Sequence, residues 1–143
     1  MSYLKSVLKY VFIFILTFLL LLSALLAVAK IPKSLIYNNM LESAEYLNSI
    51  PSGNYLIESI ISTRTDQFAD TLLLNIAFHY DESNALESVI WSKFAGYPNQ
   101  YVAQYFLESV RDGTPAEQEY LRYWHGSNVF VRFWHIFLRL CNF

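Results

Sequence analysis

The sequence predicts an all-α membrane protein. It has one N-terminal transmembrane helix, an acidic extracytoplasmic domain of about five helices, and a C-terminal basic amphipathic helix that associates with the membrane. Three observations predict this. An uncharged run of 20 residues separates Lys9 from Lys30. Regularly placed helix starts and stops divide the middle of the chain. The last segment puts its polar residues on one helical side and its aromatics on the other. Composition agrees: 55% of the 143 residues are apolar and 15% are charged, against about 25% charged in an ordinary soluble domain. Such a chain is neither disordered nor low-complexity. A net charge of −2 argues against a nucleic-acid partner, which would need a clustered basic surplus. A single cysteine, Cys141, excludes an intrachain disulfide and a multi-cysteine zinc site.

The run Tyr10–Ala29 is rich in Leu, Ile, Phe and Val. At 1.5 Å per residue it reaches about 30 Å, the thickness of a bilayer core. Two readings compete. One is an uncleaved anchor. The other is a secretory signal, with Lys5 and Lys9 at its head and Ala27-Val28-Ala29 as a small-x-small cleavage site, which would release a secreted helical protein. The run is longer than the usual apolar core of a signal, which favours the anchor.

Charge is unevenly spread. Residues 1–33 carry +4, residues 34–122 carry −8 and residues 123–143 carry +2. The lysines flanking the run are balanced, so the positive-inside rule barely orients it. The short leading tail favours a cytoplasmic N-terminus at the cell membrane. The expected organisation is a cytoplasmic tail over 1–9, the span over 10–29, the acidic extracytoplasmic domain over 30–126, and an amphipathic or truncated second membrane helix over 127–143.

The elements follow in order. Ile31-Pro32 stops the first helix, since Pro cannot continue the ladder. Ser34 is the expected cap of a helix over 35–50. Pro51-Ser52-Gly53-Asn54 is a turn cluster. The apolar stretch 55–61 fits a helical turn or a brief strand. Thr65 or Asp66 starts a helix to Phe78 that is apolar nearly all round from Leu72, and therefore central or against lipid. His79, Asp81 and Glu82 surround a surface turn. Ser83 or Asn84 caps a helix to Ala95, closed by Gly96. Pro98-Asn99 opens another, ending at Asp112-Gly113. Thr114, Pro115 and Glu117 read as a capping box for a helix reaching His125.

The final helix, 128–142, carries Asn128, Arg132, His135, Arg139 and Asn142 on one side. The other side holds Phe130, Phe133, Trp134, Phe137 and aliphatic residues. This pattern suits a membrane interface, or a span with its basic stripe toward protein. It also matches a plain core helix with a solvated polar face.

Several enzyme signatures are missing. The four glycines are isolated, so no phosphate loop exists. No nucleophile elbow or His-x-x-x-His is present, and no motif implies a cofactor. Two constellations carry chemistry. Asp66 and Asp70, at i and i+4, share a helix face. Two carboxylates there can meet a cation or do acid–base work. The plainer reading is a pair of acids at the positive end of a helix. The segment Arg122-Tyr123-Trp124-His125-Gly126 gathers a cation, two aromatics and an imidazole. Arg122, Trp124 and His125 can bind an anionic or sugar-like group. The plainer reading is an aromatic belt at the headgroups.

The segments from Asp66 to Ala77 and from Tyr120 to Gly126 resemble the opening part of a family of uncharacterised bacterial multi-pass membrane proteins. In these an N-terminal membrane helix precedes a helical loop outside the cytoplasm, and an Arg-Tyr-Trp-His-Gly stretch leads into a second membrane helix. The resemblance covers nearly the whole chain. It departs where Phe133, and not a proline, follows Arg132, and where the family continues into further membrane helices. It therefore implies a partial member whose partners are the lipid bilayer and other membrane helices. The layout is also similar, in topology alone, to glycosyltransferases that use polyprenyl-phosphate sugars. That similarity implies an aspartate, Asp66 or Asp70, as base or metal ligand, with Arg122 and His125 toward a lipid-linked sugar phosphate.

Overall fold

A computed structural model describes residues 2–50, 60, 66–96, 101–122 and 126–141. The described residues form six helices and a two-stranded ribbon. The first helix, α1 (Ser2–Ala29), is apolar and long enough to cross a membrane. It ends where Lys30 and Ile31 close its last turn on Leu26 and Val28 carbonyls, because Pro32 has no N–H to offer. Helix α2 (Lys33–Ser49) starts directly after Pro32, which takes the cap position expected of Ser34. Proline's fixed φ suits the turn into the helix, and no side chain caps this helix start.

Helix α3 (Gln67–Phe78) begins as the sequence predicts. The Asp66 carboxylate accepts the Ala69 N–H at 3.1 Å. Leu72, Ile76, Ala77 and Phe78 are buried, and α3 packs against α2, α5 and α6. It is the central helix. Helix α5 (Val102–Asp112) closes on Gly113 in the left-handed region, φ 71°, the conformation glycine adopts at least cost. Helix α6 (Asn128–Cys141) completes the bundle. The expected turn at 51–54, most of the stretch 55–61, Thr65 and the Pro98-Asn99 start lie outside the described residues.

Two expectations fail in the same place. Helix α4 (Ala85–Ile90) stops well short of Ala95. The capping-box segment after Gly113 is not helical among its described residues. Strand β1 (Lys93–Phe94) instead pairs antiparallel with β2 (Gln118–Glu119), Lys93 opposite Glu119 and Phe94 opposite Gln118. Tyr120 then donates its N–H to the Ser92 carbonyl at 2.9 Å, and its ring meets Phe94 edge-on at 6.2 Å. Both rings pack on a buried cluster of Leu25, Val28, Ala29, Leu72, Ile76, Tyr80 and Ala85. A cap is worth about 1 kcal/mol. Ribbon hydrogen bonds and two aromatic rings on a core outweigh that.

The buried side of α1 is confined to its end, at Leu25, Val28 and Ala29, which pack with α4 and α6. A second cluster, Ile36, Met40, Ala44, Ala77, Phe78, Phe106, Leu107 and Val110, holds α2, α3 and α5 together.

Candidate functional site

Asp66 caps α3 and Asp70 lies in its first turn, and the two do different things. The Asp66 carboxylate is engaged in capping. Asp70 is exposed and borders an open cleft of about 580 Å³ with Glu42 and Ser43 of α2. Partial burial raises the Asp70 carboxyl above its ordinary range, and the neighbouring Asp66 charge adds to the rise. No group of three or more His, Cys, Asp or Glu side chains fit to hold a metal ion occurs among the described residues. Arg122 lies exposed after β2. Trp124 and His125 lie outside the described residues, so the Arg-Tyr-Trp-His cluster has no described geometry.

A larger cleft, about 740 Å³, opens between the start of α2, the end of α3 and the α5–β2 loop. Lys33, Tyr37, His79, Asp81, Trp91 and Lys93 are among its lining residues. His79 is not the surface residue the sequence suggests. It caps α3, with its Nδ1 2.8 Å from the Asn75 carbonyl and its ring edge-on to Phe78 at 5.2 Å. Burial pushes its pKa down to about 4, although the Asn75 and Thr114 backbones favour the charged form and Lys33 opposes it. The ring is therefore neutral at pH 7 and too weak a base for proton abstraction there. Lys33 lies over the Phe78 ring at 5.7 Å, and its pKa is lowered by burial and then by Arg132. Asp81, beside it, is tied into a turn by the Ser83 N–H at 2.9 Å and the Ser83 hydroxyl at 2.6 Å.

The most unusual arrangement lies along α6. Its polar stripe faces into the protein and its aromatics face out. Asn128 and Arg132 are 0% exposed and His135 is 6% exposed. Phe130, Phe133, Trp134 and Phe137 are 77%, 63%, 56% and 45% exposed. This excludes the core-helix reading with a solvated polar face. Each inward group is held. Asn128 Nδ2 donates to the Tyr80 hydroxyl at 2.9 Å. The Arg132 guanidinium donates to the Ile31 carbonyl and lies 5.6 Å over the Tyr80 ring. Arg139 donates to the Ser34 carbonyl at 2.9 Å. Asn39 donates to the His135 carbonyl at 2.6 Å, and His135 Nδ1 sits 2.8 Å from the Val131 carbonyl.

Burial lowers the Arg132 pKa to about 10, so the guanidinium stays charged at neutral pH. Its Nε and Nη1 have no hydrogen-bond partner among the described residues, nor does Asn128 Oδ1. Tyr80 and Ser92, both buried, complete this polar centre. Sequence reading finds the stripe but misses Tyr80 and Ser92. Neither falls in a motif, and only the tertiary packing brings them to Arg132.

No family model, curated protein or solved structure matches this chain.

Proposed function

We propose that this chain is an integral membrane protein, anchored by α1, that presents a helical domain outside the cytoplasm for binding or scaffolding. The observation that carries the reading is the surface of α1. From Tyr3 to Leu21 its large apolar side chains are exposed, and only its last turns pack on the domain. A helix apolar on every face and uncovered by protein is stable only in lipid. The lysines at its two ends, Lys5 and Lys9 before and Lys30 and Lys33 after, suit the headgroup layers.

The domain suits binding better than catalysis. The two clefts described above are open, Asp66 is engaged in capping, and His79 is a neutral, hydrogen-bonded imidazole. The glycosyltransferase-like alternative keeps one support, the raised Asp70 carboxyl beside Glu42. The deciding experiment extracts bacterial membranes holding the full chain with alkaline carbonate and weighs the retained protein. Retention in the pellet at full-length mass is expected. Release to the supernatant, or a mass lacking residues 1–29, overturns the anchor.

A further inference from the structure

We infer that the aromatic face of α6 is a second membrane contact, with Phe130, Phe133, Trp134 and Phe137 seated at the acyl-chain boundary of the leaflet beside the C-terminal end of α1. The inference rests on the reading that α1 spans the bilayer. Three observations carry it.

The first is the face itself. The four aromatics fall at i, i+3, i+4 and i+7, on one side of α6. All four are exposed, and Trp134 stacks on Phe137 at 5.6 Å. Aromatic side chains offer about 150–250 Å² each, and at 45–77% exposure the four together make a patch comparable to the largest a soluble monomer ordinarily exposes, a size that is often functional. No charged side chain interrupts it.

The second is that α6 cannot roll to hide this face. Asn128, Arg132 and Arg139 are bonded to Tyr80, Ile31 and Ser34 on the opposite side. Rolling the helix would send a buried guanidinium outward and break all three bonds.

The third identifies the occupant. Val129 packs on the cluster formed by Leu25, Val28 and Ala29 of α1. Leu25 precedes Lys30 by five residues, about 7 Å along a helix. The N-terminal part of α6 is thus pinned within a turn or two of the point where the span meets the headgroups. A partner at that height with no charge to match and a taste for Phe and Trp is the lipid boundary itself.

The test uses the full chain with Cys141→Ser, reconstituted in vesicles of phosphatidylcholine and phosphatidylglycerol with or without brominated acyl chains. A single cysteine carrying an environment-sensitive fluorophore replaces Phe133, or in a second variant Phe130. Leu16→Cys reports on the span, and Glu45→Cys on a water-facing site of α2. Labels at Phe133 and Phe130 are expected to emit blue-shifted light and to be quenched by brominated lipid to roughly half intensity, as suits a site about 5–10 Å into the boundary. Quenching at Leu16 without quenching at either α6 site leaves the anchor standing and overturns this contact. A blue-shifted, unquenched label at Phe133, together with cross-linking between chains of the unlabelled Phe133→Cys variant, assigns the face to a second copy, and also overturns it. Loss of quenching at Leu16 as well removes the anchor and this inference together.

Discussion

At the residue scale, Asp66 and Asp70 show how two identical side chains four positions apart acquire opposite energetics. Asp66 accepts the Ala69 N–H, one of the donors a helix start leaves unpaired. Asp66→Ala should therefore lower domain stability by about 1 kcal/mol, the usual worth of such a cap. Asp70 caps nothing. Burial and Asp66 raise its carboxyl above the ordinary value of 3.8, so ionisation costs more in the folded chain than in the unfolded one. That penalty applies fully above the folded pKa and fades as pH falls through it. Asp70→Asn should match or slightly exceed the wild-type melting temperature at pH 7, and lose any advantage near pH 4. Thermal melts of the detergent-solubilised full chain at the two pH values check both variants. A Tm drop for Asp70→Asn as large as that for Asp66→Ala would mean Asp70 holds a stabilising partner. The cap was legible because it is local: an Asp before an apolar run satisfies its own helix. The chemistry of the pair was not, because spacing cannot tell a capping carboxylate from a free one.

At the scale of elements, the segment after Gly113 separates what local signals decide from what packing decides. Gly113 did what its sequence position implies. It sits at φ 71°, and a side chain there would meet nothing within 4 Å, so the cost of a larger residue is conformational alone. Gly113→Ala should destabilise by about 1 kcal/mol. Thr114 reads as a cap, yet no helix follows it among the described residues. Thr114→Ala should be close to neutral, where a working cap would lose about 1 kcal/mol. Urea or thermal midpoints of the two variants test this contrast. The capping box was legible and misleading. Its helix competes with a ribbon whose hydrogen-bonding partner, Ser92–Phe94, lies more than 20 residues away, and no local pattern in either segment announces the other. The stripe on α6 was legible from Asn128 to Arg139, with Asn142 outside the described residues, but its direction was not. A helical wheel gives two faces, and only the partners Tyr80, Ile31 and Ser34 decide which one turns inward.

For the whole molecule, the question is how rigidly the domain is held on α1. The connection between α1 and α2 is short and broken by Pro32, which removes one backbone donor. Left alone, such a joint would bend. Here α6 grips it from the side, through Arg132 on the Ile31 carbonyl and Arg139 on the Ser34 carbonyl. Hydrogen bonds from charged donors contribute about 1.5–3 kcal/mol each. Arg132 is nonetheless costly, because its Nε and Nη1 are buried without hydrogen-bond partners among the described residues. Replacing a buried, incompletely paired charge with an apolar side chain of similar volume is often neutral or stabilising. The two effects can be separated. Arg132→Met should leave the melting temperature of the chain unchanged or higher. Backbone amides of residues 31–36 should meanwhile exchange with solvent roughly 10- to 100-fold faster, as loss of one charged hydrogen bond implies. Hydrogen exchange read by mass spectrometry on the full chain in nanodiscs measures the joint, and a melt measures the fold. Faster exchange with an intact melt means Arg132 serves to fix the angle between the domain and α1. A collapse of both means it is a plain core residue, and the tilt of the domain on α1 is then set by the apolar packing of α4 and α6 against its last turns.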